Sequence, residues 1–551
     1  MNPTLIPRIA YFCMEYALSD ALPLYAGGLG VLAGDLVKAA GDLRLPIVGI
    51  GVFWSEGYTI QRITDGGAVW DEFPQTSRAG LVPTNVTVTV HVRGRDIAIT
   101  AWRVDQPGLA ATYLLEPVVE ADRWITRRLY GGGSDDRVAQ EIVLGIGGVR
   151  ILRALGIESD VYHFSEGHAA FAGLELIREK MAAGASFEAA WQATRAEVVF
   201  TTHSPVAAGA EAHRLELLVE QGADLGFSFE QLGAIGDVPF SMPTARLRLA
   251  SVANAVSELH AETTRRLWAG IGGSAPIVAV SNGIHPWTWQ DQRIRVAFNL
   301  GGLLDAHQAL KRELLAIVRG RTGAILDETR PVVGFARRAA AYKRADLLLR
   351  DLDRIGPLLR SRRLQLVFGG KSHPHDEAGK RILGQLAAAA RSFPESVVYL
   401  ENYDVKLAQL LVRGCDVWLN APRRPMEASG TSGMKAAMNG VLNVSVLDGW
   451  WPEACEHGEN GWQFGDGFEG PGQDEHDRLA LLDLLEKEVL PAYDDRPRWE
   501  AMMRRSIATV QWRFSSHRMV EDYYLRVYRQ TGPLPAVSRP PREAESQAPG
   551  S

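Results

Sequence analysis

The segment EASGTSGMKAAMNG, residues Glu427–Gly440, places one lysine, Lys435, in a run of small residues between two short apolar stretches. These stretches, GCDVWLN (Gly414–Asn420) and VLNVSVLDG (Val441–Gly449), are typical of buried strands. The glycine and hydroxyl residues inside the segment suit the start of a helix, and its final Asn-Gly suits a helix end. The sequence here therefore predicts a strand, a loop, a short helix and a second strand.

Two interpretations of Lys435 are open. It is either an exposed lysine in the first turn of a surface helix, or a lysine that faces an anion or carbonyl compound held by free backbone amides. A Walker P-loop is excluded, because the spacing G-x-x-G-M-K-A differs from G-x-x-x-x-G-K-[ST] and no hydroxyl follows the lysine. The local sequence does not decide between the two interpretations.

Both halves of the chain alternate strand-like and helix-like patterns. In the first half, RIAYFCMEY is followed by the glycine-rich YAGGLGVLAGDLVKAAGDL, which opens a helix, and then by the strand-like LPIVGIGVFW, DVYHF and AEVVFTTH. In the second half the strand-like segments are PVVGFA, LQLVFGG, ESVVYL, CDVWLN and LNVSVL. Two such series predict the α/β class, with two Rossmann-like domains of parallel buried strands that face each other across a cleft.

We place the boundary between these domains near SNGIHPWTW (Ser281–Trp289). Residues 1–283 then form the N-terminal domain and residues 284–530 the C-terminal domain. Residues 531–551 are rich in Pro, Ser and charged residues, which predicts a disordered tail.

Three further elements are predicted inside the domains. Residues Val86–Val104 alternate at period two around a glycine-containing turn, which predicts a β-hairpin insertion. Residues Ser134–Gly156 predict a helix capped by Ser134. Residues from about Trp499 to Arg529 have an amphipathic helical pattern, and we expect this C-terminal helical region to pack back on the domains.

The composition excludes several classes of protein. The chain has 551 residues, of which 46% are hydrophobic and 23% charged, and a net charge of −6, which disfavours binding to nucleic acid or an anionic membrane. Its three cysteines show no disulfide framework, its N-terminus lacks a signal-peptide pattern, and no apolar run is long enough to span a bilayer. We therefore expect a cytoplasmic protein with no nucleic-acid or membrane partner.

A cluster of cations follows the strand-like PVVGFA. The segment RRAAAYKRA contains Arg337, Arg338, Lys343 and Arg344. Ligands of open α/β sheets bind at the carboxyl ends of strands, so this cluster predicts a phosphate or carboxylate site. The alternative is a basic first turn of an exposed helix, which is disfavoured because cations at a helix start oppose the helix dipole.

Three other motifs remain ambiguous. Residues Gly28–Ala33 match G-x-G-x-x-A, but the distance from the preceding strand argues against a dinucleotide site and leaves a general anion site or close packing. In HFSEGHAAF, His163, Glu166 and His168 have the spacing H-x-x-E-x-H, from which we expect no metal. His203 is either a core histidine or a hydrogen-bond partner of a substrate hydroxyl.

The nine residues from Glu427 to Lys435 closely resemble the pyridoxal-phosphate lysine motif of the α-glucan phosphorylases, E-A-S-G-T-x-x-M-K. Arg338 and the tripeptide Tyr342-Lys343-Arg344 resemble the phosphate-binding R-x-x-x-Y-K-R of that family. Other residues that occur in the order of the family are Glu15, the loop Gly27–Gly30, His203, Asn282, Trp289 and Tyr403. The resemblance spans Arg8 to Arg529, in the GT-B architecture, and is greatest to the short bacterial–archaeal branch.

The resemblance implies a retaining reaction in which an α-1,4-glucan and orthophosphate give α-glucose 1-phosphate and a shorter glucan. It implies pyridoxal 5′-phosphate as cofactor, with the cofactor phosphate as acid and base and the Gly27 and Gly28 amides near the phosphates. Catalytic roles are implied for Lys435, Arg338, Lys343 and His203. Cofactor contacts are implied for Lys435, Tyr403, Trp289, Thr431, Ser432, Arg337 and Gly27. Substrate contacts are implied for Glu15, Gly28, Leu29, His168, Asn282, Glu427, Ser429 and Gly430.

The sequence departs from the long members of the family. Ala339-Ala340-Ala341 stands where those enzymes carry a His and a Glu, and no counterpart of their regulatory segment is found, so the resemblance implies no control by phosphorylation or nucleotides. Homodimers are common in the family, so a homodimer is a possible assembly. One alternative is a nucleotide-sugar glucosyltransferase of the same architecture, which can also use Arg338 and Lys343 but does not need Lys435. A second alternative is an inactive glucan-binding protein.

Overall fold

The computed structural model of the protein describes residues 6–19, 21–64, 66–203 and 211–528. The tail predicted for residues 531–551 lies outside the described residues. No helix among the described residues has both the length and the apolarity needed to cross a bilayer.

The described residues form two large sheets with helices packed between and around them. The strands are β1 (Ile9–Phe12), β2 (Tyr16–Ala17), β3 (Pro23–Leu24), β4 (Ile47–Val52), β5 (Ile60–Ile63), β6 (Val69–Glu72), β7 (Leu81–Val92), β8 (Arg95–Val104), β9 (Thr112–Pro117), β10 (Val161–Ser165), β11 (Val198–Thr201), β12 (Ala212–His213), β13 (Phe240–Ser241), β14 (Val252–Ala255), β15 (Ile277–Ala279), β16 (Val332–Ala336), β17 (Gln365–Gly369), β18 (Val397–Leu400), β19 (Val417–Asn420), β20 (Leu442–Val446) and β21 (Gly461–Phe464). The helices are α1 (Gly28–Asp42), α2 (Ser134–Ile142), α3 (Gly148–Ala154), α4 (Ala170–Ala182), α5 (Phe187–Glu197), α6 (Leu215–Gln221), α7 (Phe229–Gly236), α8 (Met242–Leu249), α9 (Glu258–Leu267), α10 (Pro286–Trp289), α11 (Gln292–Leu300), α12 (Leu303–Thr322), α13 (Leu352–Arg360), α14 (Glu377–Ser392), α15 (Val405–Gly414), α16 (Thr431–Met438), α17 (Trp451–Ala454), α18 (Gln473–Leu484), α19 (Leu490–Asp494), α20 (Arg496–Val510) and α21 (Ser516–Arg526).

The first sheet has the strand order β15-β14-β11-β10-β1-β4-β9-β8-β7. The strands from β15 to β9 are parallel, and β8 and β7 run antiparallel at one edge. The inner strands β1, β10 and β11 are buried along their whole length. Helices cover both faces of such a sheet, which explains why these strands are almost continuously apolar in the sequence.

The second sheet has the order β18-β17-β16-β19-β20-β21, and its strands are all parallel. In each sheet the chain order reverses at a central strand, β1 in the first sheet and β16 in the second. Loops that leave the two sides of such a strand diverge and open a crevice at its carboxyl end. The two sheets and their crevices confirm the predicted α/β class and GT-B architecture.

The predicted hairpin of residues 86–104 forms, but it is not an insertion apart from the sheet. Strands β7 and β8 extend the edge of the first sheet, because β8 pairs with β9 and β9 pairs with β4. The hairpin also begins earlier than predicted, at Leu81. The pairing shifts in register between Pro83 and Thr87, which interrupts the period-two pattern that the sequence analysis followed.

The helix predicted at residues 134–156 forms as α2, a π-helical turn and α3, and it ends at Ala154. Ser134 is not its cap, which corrects the prediction. Gly133 precedes the first helical residue, and its amide donates to the Asp136 carboxylate at 3.1 Å. The aspartate of the first turn thus accepts from the amide of the cap residue, while Gly133 has no side chain to accept from the amides inside the turn.

The helical region predicted from Trp499 to Arg529 is interrupted, because α20 ends at Val510 and α21 begins at Ser516. At this break the chain runs beside the segment that links the two sheets. The Ile284 amide donates to the Phe514 carbonyl at 2.9 Å, and the Ser516 amide donates to the Ile284 carbonyl at 2.8 Å. These bonds replace helical ones, which explains the break.

Helix α21 returns to the first sheet, as expected for the C-terminal helical region. Its residues Met519, Val520 and Tyr523 are buried in the core of that sheet. After the helix, the Tyr528 hydroxyl lies 2.8 Å from Nδ1 of His163. The sheets themselves lie on either side of residue 283, but the assignment of residues 1–283 and 284–530 to separate domains stays a prediction.

A buried ion pair joins α12 to the second sheet. The Lys311 ammonium lies 2.7 Å from the Asp416 carboxylate, and both side chains are at most 2% exposed. The same carboxylate accepts a hydrogen bond from the Val332 amide at 2.8 Å, at the start of β16. The pair therefore holds the helix, β16 and β19 together.

We expect Lys311→Met to destabilise the protein by about 3–5 kcal/mol, because it leaves the buried Asp416 carboxylate without its cation. The matched control is Lys487→Met, since Lys487 pairs with Asp483 at the surface, and it should cost less than about 1 kcal/mol. Urea unfolding of both variants measures the difference. If both variants lose the same unfolding free energy, the buried Lys311–Asp416 pair stabilises the protein no more than a surface pair does.

Candidate active site

A cavity of about 470 Å³ lies between the carboxyl ends of the two sheets, and we call it the cleft cavity. Its walls come from loops that follow β1, β10, β11 and β15 on one side and β16 to β19 on the other. Every residue for which the family resemblance implied a catalytic, cofactor or substrate contact lines it. These residues are Glu15, Gly27, Gly28, Leu29, His168, His203, Asn282, Trp289, Arg337, Arg338, Lys343, Tyr403, Glu427, Ser429, Gly430, Thr431, Ser432 and Lys435.

Lys435 lies in α16 and is 6% exposed, so it is not a lysine on a surface helix. Its Nζ is 3.8 Å from the centroid of the Trp289 ring, and no described residue accepts a hydrogen bond from it. The Trp289 indole is in turn fixed by a 2.8 Å hydrogen bond to Asp35. Burial lowers the pKa of Lys435 to about 8, although Asp35 favours the charged form. Such an amine is well suited to react with a carbonyl compound.

The start of α16 faces the same cavity. Gly430 precedes the helix with a φ of +91°, which a side chain would strain. Among the described residues, the amides of Thr431 and Ser432 have no acceptor. Free amides at a helix start, together with the helix dipole, form a site for an anion.

Glu427 binds two cations of the predicted cluster. Its Oε2 accepts hydrogen bonds from Arg337 at 2.8 Å and from Lys343 at 2.5 Å. Burial tends to raise the pKa of Glu427, but the two cations outweigh it and lower the pKa to about 2. The group is therefore an ionised carboxylate whose charge is balanced inside the cavity wall.

Arg338 is the cation of the predicted cluster that stays available to bind an anion. Its side chain is accessible from the cleft cavity and lies next to Tyr342. No carboxylate of the part of the chain that the structure describes forms an ion pair with it. A guanidinium in this state can bind an incoming oxyanion through two parallel hydrogen bonds.

Arg344 does not belong to the site, which corrects its inclusion in the predicted cationic cluster. Its side chain is fully buried and turns away from the cavity. It donates to the Ala421 and Pro422 carbonyls at 2.8 Å and pairs with Asp477 at 2.6 Å. Its role is thus to hold the loop after β19 against α18.

The loop at the start of α1 contributes from the first sheet. The Glu15 carboxylate accepts hydrogen bonds from the Ala26 amide at 2.6 Å, the Gly27 amide at 3.1 Å and the Tyr130 hydroxyl at 2.8 Å. The Gly27 amide is therefore occupied, although we expected it to face a phosphate. The amides of Gly28 and Leu29 have no acceptor within the described ranges, so they remain available for an anion.

Two histidines of the cavity wall, His168 and His203, are half-buried, and desolvation favours their neutral form. Burial lowers the pKa of His203 to about 4, although Glu166 favours its charged form. Burial likewise lowers the pKa of His168 to about 3. Nε2 of His203 lies 3.2 Å from the Ser165 hydroxyl. Neutral imidazoles both donate and accept hydrogen bonds, which suits contacts with hydroxyl groups.

The motif HFSEGHAAF does not bring its three candidate side chains to one point. His163 is buried between the Thr201 hydroxyl, 2.6 Å from Nε2, and the Tyr528 hydroxyl. Glu166 pairs with Arg246 at 3.0 Å. Glu166 and His168 line the cavity, whereas His163 does not.

Two buried oxygen atoms in the cavity wall have no partner within the described ranges. They are Oδ1 of Asn282 and Oγ of Ser429, whose residues are each 4% exposed. A buried polar atom without a hydrogen bond is costly, so such atoms indicate the place of a ligand or a water. Both residues line the cavity, Asn282 after the first sheet's strand β15 and Ser429 after the second sheet's strand β19.

The sequence analysis missed several residues of the wall, among them Tyr58, Lys371 and His373. Lys371 follows β17 directly, so the rule used for β16 would have found it. Burial lowers the pKa of Lys371. Tyr58 lies in a loop between strands that the sequence did not distinguish, and no sequence signal points to it.

A family model described as carbohydrate phosphorylase matches residues 303–469. The maltodextrin phosphorylase of Thermococcus litoralis is 38% identical over 94% of this chain and 70% of that protein. The glycogen phosphorylase of Mycobacterium tuberculosis is 38% identical over the same shares. A glycogen synthase of Anaeromyxobacter dehalogenans is 26% identical over 92% of this chain and 97% of that protein.

We expect Glu427→Gln to destabilise the protein by about 3 kcal/mol at pH 7, because Arg337 and Lys343 lose their buried anion. The pKa of Glu427 in the fold, about 2, lies below its ordinary value of 4.5. The stabilisation is therefore complete above about pH 4.5 and is lost as the pH falls toward 2. Unfolding of both proteins between pH 7 and pH 3 measures this.

Glu158→Gln is the control, since Glu158 pairs with Arg8 and is 77% exposed. It should change stability little at any pH. If the difference in unfolding free energy between the wild type and Glu427→Gln stays constant down to pH 3, the result would contradict the stabilising role of the carboxylate charge.

Proposed function

Because the chain belongs to the carbohydrate phosphorylase family, we propose that it is an α-1,4-glucan phosphorylase that uses pyridoxal 5′-phosphate. The reaction releases the terminal glucose of a glucan to orthophosphate as α-glucose 1-phosphate, with retention at the anomeric carbon. One observation carries this proposal most directly. The buried amine of Lys435 has no hydrogen-bond acceptor within the described ranges and opens into a cavity that also contains the available cation Arg338.

The residues around Lys435 fit the cofactor. The amine, with its pKa near 8, would hold the aldehyde, and the rings of Trp289 and Tyr403 would pack beside the pyridine. The free amides of Thr431 and Ser432 supply donors for its phosphate. When bound, pyridoxal 5′-phosphate supplies a phosphate monoester whose second pKa, about 6, suits proton exchange at neutral pH.

Arg338 and Lys343 would bind the orthophosphate. Arg338 has no carboxylate partner among the residues that the structure describes, and Lys343 shares Glu427 with Arg337. The free amides of Gly28 and Leu29 face the same volume from the first sheet. These groups offset the charge of two phosphates that lie close together, which would otherwise repel.

Donors and acceptors for a glucosyl unit surround the rest of the cavity. The unpartnered oxygens of Asn282 and Ser429, the neutral imidazole of His203 and the carboxylate of Glu427 each have capacity for a sugar hydroxyl. A dense hydrogen-bonding site discriminates well between hydroxylated substrates, because an unmatched buried group is costly. The reacting carbon would lie next to the orthophosphate, whose charge stabilises an oxocarbenium-like transition state.

The alternative remains a nucleotide-sugar glucosyltransferase of the same architecture. A glycogen synthase is similar over nearly the whole chain, but at 26% identity against 38% for the two phosphorylases. A nucleotide sugar would not need the buried amine of Lys435. The stronger similarity and this amine both favour phosphorolysis.

We also propose a cellular compartment for the protein. The three cysteines are unpaired, and two of them are buried, which suits a reducing compartment such as the cytoplasm. A homodimer stays a prediction from the resemblance.

The direct test is to incubate the purified protein with maltodextrin and orthophosphate, without any nucleotide sugar, and to measure glucose 1-phosphate. The proposal predicts its formation and its dependence on orthophosphate. Glucose transfer from a nucleotide sugar, with no product from orthophosphate, would support the alternative. If neither activity is detected, the result would favour an inactive glucan-binding protein.

We expect Arg338→Ala to reduce phosphorolysis at least a hundredfold, about 3 kcal/mol, because it removes a charge-assisted bidentate contact with the orthophosphate in the cleft cavity. The cofactor absorbance should remain. Arg338→Lys is the matched control, since it keeps the charge and loses the planar fork, and its activity should lie between the two. Near-normal phosphorolysis by Arg338→Ala would refute the assignment.

We expect Lys435→Ala to lose covalent cofactor, its near-ultraviolet absorbance and phosphorolysis together, while the protein stays folded. Borohydride reduction of the wild type should fix the pyridoxyl group on the peptide that contains Lys435. Lys371 is the control, because it is a half-buried lysine of the same cavity with a lowered pKa. A label on Lys371, or an active colourless Lys435→Ala protein, would overturn the cofactor assignment.

A further inference from the structure

Three side chains from distant parts of the chain converge at the far end of α1. Asp42 is the last residue of that helix, His285 precedes α10, and His517 lies in the first turn of α21. Nε2 of His285 lies 2.8 Å from Oδ2 of Asp42, and Nε2 of His517 lies 2.9 Å from the same oxygen. Their three ligand atoms all lie within 4.8 Å of one another.

The surroundings of His285 fix its ring. Nδ1 of this ring lies 2.8 Å from the Thr288 hydroxyl, which accepts a hydrogen bond when the ring carries its hydrogen on Nδ1. Without a metal Nε2 can donate to Asp42, and when a metal replaces the Nε2 hydrogen the ring keeps its hydrogen on Nδ1 and presents the Nε2 lone pair to the metal. A histidine that binds a metal usually has such a partner on its second nitrogen, which holds the ring and the tautomer.

The burial of the cluster suits a site that is open on one side. The side chains of His285 and His517 are 8% and 12% exposed, whereas Asp42 is 31% exposed. Solvent therefore reaches the cluster at the carboxylate. A metal would enter from this side and could keep a water molecule as its fourth ligand.

We propose that Asp42, His285 and His517 form a binding site for a divalent transition metal of the zinc class. Two imidazoles, one carboxylate and a water are a common tetrahedral ligand set for Zn²⁺ and Co²⁺. Ligand atoms about 2.0–2.1 Å from such a metal are about 3.3 Å apart. The nitrogen-to-oxygen distances of 2.8 and 2.9 Å need only a small widening to reach this spacing.

The site is structural in character. Asp42 lies at the opposite end of α1 from Gly28 and Leu29, about 20 Å along a helix of 15 residues, and does not line the cleft cavity. A bound metal would tie the first helix of the chain to the segment between the sheets and to the last helix. Binding to the folded state alone raises its stability in proportion to the logarithm of metal concentration.

A second cluster provides a contrast. Glu141, Glu211 and His213 also bring their ligand atoms together, but the cations Arg137 and Arg246 act on the carboxylate of Glu141. Positive charges beside a site oppose a metal cation. The cluster at Asp42 is therefore the stronger candidate.

The test uses the untagged full-length protein, purified with its cofactor, freed of metals with a chelator and titrated with Co²⁺ at fixed pH. We expect one equivalent to give the intense visible absorption of tetrahedral Co²⁺, and Zn²⁺ to displace it. Excess Zn²⁺ should raise the melting temperature. Asp42→Asn and His517→Ala should lose both responses, and His457→Ala, which removes a surface histidine paired with Glu488, should keep them.

Asp42→Asn preserves the shape of the side chain, so its melting temperature and phosphorolysis without metal should stay close to those of the wild type. This separates failure of the metal site from failure of the proposed function. Absence of a Co²⁺ spectrum in the wild type would overturn the proposal. So would a spectrum that survives in Asp42→Asn and His517→Ala, or one that His213→Ala abolishes, since the metal would then occupy another site.

Discussion

The carboxyl ends of two parallel sheets face each other across the cleft, and the candidate active site depends on this placement. Glu15 follows β1, Arg338 follows β16 and Lys435 follows β19, so loops from separate strands deliver side chains to one volume. The central strands are buried on both faces and carry apolar residues. The polar groups of the site therefore lie in the loops and helix starts beyond the ends of these strands.

The removal of these side chains from water shifts their pKa values. The same burial lowers the pKa of Lys435 to about 8 and that of His203 to about 4, so both groups become neutral more readily than in solution. Glu427 stays ionised only because Arg337 and Lys343 bind it. Since that pairing leaves Arg338 without a carboxylate among the described residues, the cavity keeps a positive charge for an oxyanion.

Contacts between residues far apart in the chain set the shape of the cleft. On one side the segment between the sheets runs beside the break between α20 and α21, and Ile284 shares backbone hydrogen bonds with Phe514 and Ser516. A Cβ atom at Gly283 would lie 2.1 Å from the Ser515 carbonyl oxygen, so this crossing needs a glycine. On the other side Gln61 of β5 exchanges hydrogen bonds with the backbone of Ser372 at 2.8 and 3.0 Å.

The sequence by itself determined the elements of the two sheets and the residues around Lys435, because apolar periodicity, helix caps and the spacing of a motif are local properties. Only the tertiary structure decided which neighbours of a motif take part. Lys343 and Arg344 are adjacent in the chain, yet one faces the cavity and the other binds Asp477 in the protein interior. The Gly27 amide is occupied by Glu15, and Asp42 meets His517 from the other end of the chain. Such contacts depend on how distant elements pack, and no local pattern in the sequence records them.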